Sequence, residues 1–255
     1  IPTTQLKTWQ AAGRGQNALL PHHTKLLIQS NSSTTTSSSI IDQSASGHPL
    51  TITGAVHSQG ETYFGNTAIF FDGTDDFIDF ASSGTNSDFD FGTQDHSIEF
   101  WWNRADLARQ QWIFGQGDSG GTGASISVQF EVGSGNTTRY RTYDDSADGM
   151  LDTYGGNVVT IGEWHHAAMG RVGDRIFICH DGQLMNTSSI GANTVQNSSN
   201  KFAIGRKGEQ ANQYYEGYLD GFRLCVGQSA YTPNFIPYGG QKNLAVSRGG
   251  AVTDA

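Results

Sequence analysis

Cysteine, proline and methionine are scarce in this chain of 255 residues, which holds two, five and three of them respectively. Two cysteines cannot form the dense disulfide framework on which small secreted domains rely. They fall in the strand-like segments Ile176 to Cys179 and Phe222 to Val226. A bridge between them would require those strands to be neighbours with suitable Cβ geometry, which the sequence leaves open. Charged residues are also thin, at 15%, and the 24 Asp and Glu outnumber the 15 Lys and Arg for a net charge of -9. With no basic cluster, the chain lacks the phosphate-neutralising footprint of a nucleic-acid binder and is unsuited to an anionic membrane surface. No apolar run approaches the ~18 residues of a membrane span, and no signal-peptide core is visible. Amphipathic stretches of several helical turns are missing too. The nearest helical candidate is a single turn around Arg104 to Gln110.

What is abundant points to strands. The 33 glycines far exceed the prolines, and Ser, Thr, Asn and Asp crowd the gaps between short runs rich in Phe, Ile, Val, Tyr and Trp. That texture fits many short strands joined by irregular loops, not an α/β enzyme with crossover helices. Strands are expected at Lys25 to Ile28, Ala68 to Phe71, Phe77 to Phe80, Ser97 to Asn103, Gln111 to Phe114 and Ser125 to Glu131, with Leu50 to Thr53 a further apolar segment. The second half adds Arg139 to Tyr143, Glu163 to Met169, Arg175 to Cys179, Lys201 to Ile204 and Tyr218 to Val226. Asp181-Gly182 reads as a two-residue hairpin turn, and Gly173-Asp174 as another. Such a set suffices for two sheets packed face to face about 10 Å apart. A chain of this length buries roughly 70% of its unfolded surface, so one large sandwich is as reasonable as two small domains.

The ends differ in texture. Residues 1–22 are polar apart from Leu6, Trp9, Leu19 and Leu20, and residues 239–255 carry no periodic pattern. Both read as arms that dock on the domain or on another chain, with those four apolar residues as the assembly contact. The polar run from Asn31 to Ser39 reads as a surface loop inside the domain, because apolar segments resume at Ile40-Ile41.

Six segments then carry a resemblance: TKLLIQSN, AIFFDGTDDFIDF, SIEFWWN, GEWHHAAMGRVGDRIFICHDGQL, KFAIGR and YYEGYLDGFRLCVGQSAYTPNFIP. In this order they resemble laminin-G-like, concanavalin-like jelly-roll domains, over Thr24 to Tyr238. The ending through SAYTPNFIP resembles the variant found in tail, fibre and decoration proteins of bacteriophages. The resemblance implies an all-β fold, a two-sheet antiparallel jelly-roll sandwich with extended N- and C-terminal arms, divided as 1–22, 23–238 and 239–255. It further implies first and last strands lying close together, and binding of glycans or proteins, in some members with calcium at an edge loop.

Catalytic chemistry is hard to find. Jelly-roll glycosidases use acids at i and i+2 on one strand, close to the form E-x-D-x-E, but Asp76 and Asp79 are three apart and face opposite sides. Glu99 stands alone and is expected to face solvent on a half-buried strand. His165 and His166 are adjacent, so they point to opposite faces and cannot form a simple metal pair. His180 reads as a turn-edge residue, and His22-His23 has no acidic partner nearby. Nucleophile-elbow, zincin, P-loop and C-x-x-C motifs are missing. The expectation is therefore a protein that is not an enzyme. Asp72, Asp75 and Asp76 in DGTDD offer the hard oxygen ligands Ca²⁺ prefers, although without EF-hand spacing. If the terminal strands pair as the resemblance implies, Asp220 approaches this turn as a further ligand. The same residues also suit ordinary turn-making.

The leading functional expectation is a virion-associated structural or decoration protein of a phage capsid or tail, exposed on the particle and held by its arms to other virion proteins and to copies of itself. The alternative is a carbohydrate-binding, lectin-like module for host or environmental glycans, extracellular and calcium-assisted. Trp112, Tyr140, Tyr143, Tyr154, Tyr214 and Tyr215 would then supply the aromatic faces for sugar rings.

Overall fold

The computed structural model of the protein describes residues 21–34, 38–80, 86–106, 109–117, 126–144, 149–157, 159–208 and 212–231. The docking residues Leu6, Trp9, Leu19 and Leu20 and the tail 239–255 lie outside the described residues. Strands dominate the rest. In chain order they are Thr24–Ile28 (β1), Leu50–Thr53 (β2), Val56–Ser58 (β3), Ala68–Asp72 (β4), Phe77–Phe80 (β5), His96–Arg104 (β6), Gln111–Gly117 (β7) and Ile126–Val132 (β8). Thr137–Tyr143 (β9), Met150–Asn157 (β10), Trp164–Val172 (β11), Arg175–His180 (β12), Gln183–Ser189 (β13), Phe202–Ile204 (β14) and Glu216–Val226 (β15) complete the set. Among the described residues no helix is long and apolar enough to cross a membrane. Of the segment Arg104 to Gln110 expected as a helical turn, Arg104 instead closes β6 in register with Gly217 of β15, and residues 107–108 lie outside the described residues.

Two antiparallel sheets result. The eight-stranded one runs β13-β12-β11-β6-β15-β4-β3, with β1 also on β15, and the seven-stranded one runs β10-β9-β8-β7-β14-β5-β2. β15 serves two partners along one edge. Glu216 to Leu219 pair with β4, whereas Phe222 to Cys225 pair with β1. The changeover falls at Asp220 and Gly221, whose φ of 61° is a left-handed value that glycine tolerates best. Asp220 staples this junction by accepting the backbone N–H groups of Ser30, Phe64 and Gly221. The first and last strands are thus neighbours. At the other end, Asp181 (φ 48°) and Gly182 (φ 82°) make the tight β12–β13 hairpin that the sequence leads one to expect.

Strand alternation fills the core from both sides. Ile98, Phe100 and Trp102 of β6 and Phe222 and Leu224 of β15 meet Phe114, Phe130 and Phe202 of the other sheet. Phe114 bridges the layers, its ring centroid 5.8 Å from that of Phe222 and 5.6 Å from that of Phe202. Each such ring taken from water contributes about 1.5–3 kcal/mol before ordering costs.

The outward face of the eight-stranded sheet is closed as well. Tyr63 lies flat on Trp101 with centroids 3.9 Å apart, while Ala230 and Tyr231 join a second apolar cluster with Ala168, Phe177, Cys179 and Cys225. Both cysteines are buried and free, because β12 and β15 are separated by β11 and β6. Beneath this cover Glu99 is 3% exposed, which corrects the expectation of a solvent-facing acid. One carboxylate oxygen meets the Arg223 guanidinium, and the other lies 3.0 Å from Nε2 of His166. Arg223 also donates to the Tyr231 hydroxyl at 3.0 Å. Burial lowers the His166 pKa to about 3 and raises that of Glu99 well above the usual carboxylate range, so the imidazole is neutral and its Nε2 shares a hydrogen bond with the Glu99 carboxyl. The ionic centre is an internal fastening, not an open site.

Candidate functional site

The outward face of the seven-stranded sheet is built differently. Val128, Phe130 and Val132 of β8 and Tyr140 of β9 enter the core, with Leu151 of β10 packed against it. Alternation then turns Gln129 and Glu131, Arg139, Arg141 and Tyr143, and Met150, Asp152 and Tyr154 to the opposite side. Register lays them in two rows. One joins Trp112, Glu131, Arg139 and Tyr154. The other joins Asp79, Ala203, Gly115, Gln129, Arg141 and Asp152.

Asp152 is clasped by two guanidinium groups. Arg141 donates through Nε to Oδ1 at 2.7 Å and through Nη2 to Oδ2 at 3.1 Å, and Arg139 donates through Nη1 to Oδ2 at 3.0 Å. The remaining fork of Arg139 meets Glu131, which also accepts from Nε2 of Gln110. Burial would push the Asp152 carboxyl up, but the hydrogen bonds and charge of Arg141 and Arg139 outweigh it and hold it below the usual carboxylate range. Burial also disfavours the Arg141 cation, and Asp152 overcomes that too, raising its pKa above the ordinary value. These two charges therefore persist at neutral pH as fixed donors and acceptors. Tyr154 stands beside them at 48% exposure. Its hydroxyl reaches Oδ2 of Asp152 at 3.4 Å, and the Arg139 guanidinium carbon is 5.8 Å from its ring centroid. An open aromatic ring next to a rigid polar row suits a ligand that is apolar on one face and hydroxylated at its rim.

Further along the face, Nη2 of Arg206 lies 2.8 Å from both oxygens of Asp79, and its guanidinium carbon stacks 3.6 Å from the Phe77 ring centroid. Tyr214 stacks on the same ring at 6.4 Å. Trp112 gives its indole proton to Gln213 at 2.7 Å and lies under the Lys207 ammonium, 4.8 Å from the ring centroid.

Of the aromatics expected to hold glycans, three are interior. Tyr140 bonds to His96 inside the core, Tyr215 donates to the Asn103 and Tyr218 carbonyls, and Trp112 is covered as described. Their faces are used in packing. Tyr143 and Tyr214 are half-buried and Tyr154 is exposed. Asp220 is likewise not at the acidic turn, because register sets Glu216 opposite Asp72 and leaves Asp220 four residues further along β15. Asp72, Asp75 and Asp76 come together, with ligand atoms all within 4.8 Å. Two of the three are engaged in the turn itself, Asp72 accepting from the Thr74 N–H and Asp76 from the Asp72 N–H. His180 ends β12 at the edge of the Asp181-Gly182 turn, paired with Gln183, and its side chain is buried and bonded to Thr138. His165 and His166 both touch Asp181, the first through Nδ1 and the second through its backbone N–H.

Residues overlooked in the sequence are Arg139, Arg141 and Asp152. The alternation in TTRYRTY, with an arginine at every second position around a tyrosine, is the signal that separates the outward set from the inward one.

The fold and this face define an antiparallel jelly-roll sandwich with one open, polar-aromatic sheet surface. Residues 72–227 match the Laminin_G_3 model, described as the concanavalin A-like lectin/glucanases superfamily, and the chain belongs to that family. No protein of curated function matches the sequence. Among solved structures, the binding domain of Paraclostridial Mosquitocidal Protein 1 is similar with a TM-score of 0.62 at 16% identity, over 84% of this chain and 51% of that one. Domain 4 of AbnA, an extracellular arabinanase from Geobacillus stearothermophilus solved with arabinotriose, matches at 0.53 and 17% identity, over 80% of this chain and 91% of that one. The binding domain of botulinum neurotoxin DC in complex with SialylT matches at 0.55 and 11% identity, over 89% and 52%. The chain therefore spans about half the length of the toxin binding domains it resembles.

Proposed function

We propose that this domain is a carbohydrate-binding module that holds an oligosaccharide without transforming it, on the β8–β10 surface of the seven-stranded sheet. The observation that carries the reading is the exposed Tyr154 ring beside Asp152, itself fixed between Arg139 and Arg141. A pyranose or furanose ring lays its C–H face on the tyrosine, while the carboxylate accepts from hydroxyls and the guanidinium groups donate to them. Support also comes from relatives of the same fold, one solved with arabinotriose and another with SialylT. A binding role also agrees with a face whose carboxylate Asp152 is held ionised by two arginines and so cannot act as a general acid near neutral pH.

A glycan array with the wild-type protein and Tyr154→Ala tests this. Selective signals that Tyr154→Ala loses, with its melting temperature unchanged, are the expected result. A uniformly blank array, or signals indifferent to Tyr154, would overturn the assignment.

A second reading mounts the same face on a virion, as an exposed decoration domain of a phage capsid or tail. The run SAYTPNFIP, which resembles the ending of such proteins, favours it. Incorporation of the full chain into particles, and its weakening by Trp9→Ala, is the corresponding test.

A further inference from the structure

Gln129 occupies the middle of the second row on the proposed binding face, between Gly115 and Arg141. It is 0% exposed, and among the described residues neither its amide oxygen nor its amide nitrogen has a hydrogen-bond partner. Such a group is expensive to keep, because both ends of the amide lose water and receive nothing in exchange. The backbone that comes close beside it is that of Lys207 and Gly208, at the end of the segment Gly205 to Gly208. A Cβ placed on Gly115 would meet the Gly208 nitrogen at 3.1 Å, Cγ of Gln129 at 3.3 Å and the Lys207 Cα at 3.4 Å, so these groups converge over one position that lacks a side chain. Ala203 flanks Gly115 on the other side, which keeps this centre of the sheet shallow.

This segment is anchored at its base. The Gly205 N–H donates to the Ile113 carbonyl at 2.8 Å, and the Gly205 carbonyl accepts from the Tyr215 N–H at 2.8 Å. Arg206 is held by Asp79 and Phe77. Gly205 and Gly208 have φ of 91° and 50°, left-handed values that glycine adopts without steric penalty. The tip is held as well, by the Lys207 ammonium over Trp112 and by the close approach of Gly208 to the Gly117 backbone, so lifting it means breaking these two contacts.

We propose that Gln129 is a ligand-reading residue of a covered subsite. When the Lys207–Gly208 tip lifts, the Gln129 amide takes up two neighbouring hydroxyls of a sugar unit adjoining the one stacked on Tyr154, its oxygen accepting from one and its nitrogen donating to the other. This inference rests on the carbohydrate-binding reading above and adds to it a preference for a vicinal diol next to the stacked ring.

The test uses Gln129→Met, which keeps the length of the side chain and removes the amide. Wild type, Gln129→Met and Tyr154→Ala are compared on arrayed oligosaccharides that include arabinotriose and SialylT, with melting temperatures measured in parallel. The expected result is a melting temperature raised by a few degrees, because the uncompensated amide is gone, together with binding weakened about tenfold. A raised melting temperature with unchanged binding overturns the proposal and makes Gln129 a buried amide without a ligand. A lowered melting temperature also overturns it, since the amide would then be satisfied by ordered water in the free protein. Failure of the broader reading has a different signature, either a blank wild-type array or binding that survives Tyr154→Ala.

Discussion

The two sheets carry arginine–carboxylate groups on their outward faces and use them in opposite ways. On the eight-stranded sheet, Glu99, Arg223 and His166 are sealed beneath Tyr231 and the Tyr63–Trp101 stack. On the seven-stranded sheet, Arg139, Arg141 and Asp152 reach the surface next to an exposed tyrosine. Similar pairs therefore have different consequences. A sealed pair has already lost its water, so removing one partner strands the other, whereas a pair at the surface keeps water as a replacement and can exchange it for hydroxyls.

Acid should separate the faces most strongly. Burial lowers the pKa of His96 and His180 to about 4 and that of His166 to about 3, all below the ordinary imidazole value of 6.5. The unfolded chain therefore takes up protons before the folded one does. The stability these groups contribute is complete above pH 6.5 and is lost as pH falls through 6.5 toward 4, at about 1.4 kcal/mol per pH unit for each. Urea melts between pH 7 and 4.5 should show this steep loss, and His166→Gln should make it shallower. Asp152, held below its usual range, adds its own loss only below about pH 4. A flat profile from pH 7 to 5 would contradict the burial of the three imidazoles.

Glu99→Ala comes next in size. It leaves Arg223 charged, buried and without its carboxylate, with an expected cost of about 3–5 kcal/mol in chemical denaturation. Oligosaccharide binding by the folded fraction should not change. A loss below about 1 kcal/mol would mean that water reaches this face. Tyr154→Ala is the mirror case, altering stability by less than about 0.5 kcal/mol while removing most of the binding.

Much of the fold is legible in the sequence because its signals are local. Phe and Ile runs mark most strands, and Asp181-Gly182 marks its hairpin. Three strands escape this reading: Val56–Ser58, Met150–Asn157 and Gln183–Ser189. Val56–Ser58 is only three residues long, and the other two, MLDTYGGN and QLMNTSS, are too rich in Gly, Asn, Ser and Thr to announce themselves. They pair because neighbouring strands offer them a ladder at a sheet edge. The burial of Glu99 is not legible either, since its cover comes from residues near 63 and 231, distant in sequence. Asp220 fails as a calcium ligand for a similar reason, because the β4–β15 register decides which residue faces Asp72. The arginines of β9 were within reach, since inward and outward residues alternate there without interruption.

The central claim is that ligand binding belongs to the β8–β10 surface and not to the sealed face. Backbone amide chemical-shift mapping during titration with the oligosaccharide most strongly retained on the array tests it directly. The account predicts shifts concentrated at Glu131, Arg139 to Tyr143 and Met150 to Tyr154, with Glu99, His166 and Arg223 unmoved. Shifts centred on those last three residues, or spread evenly over both sheets, would contradict it.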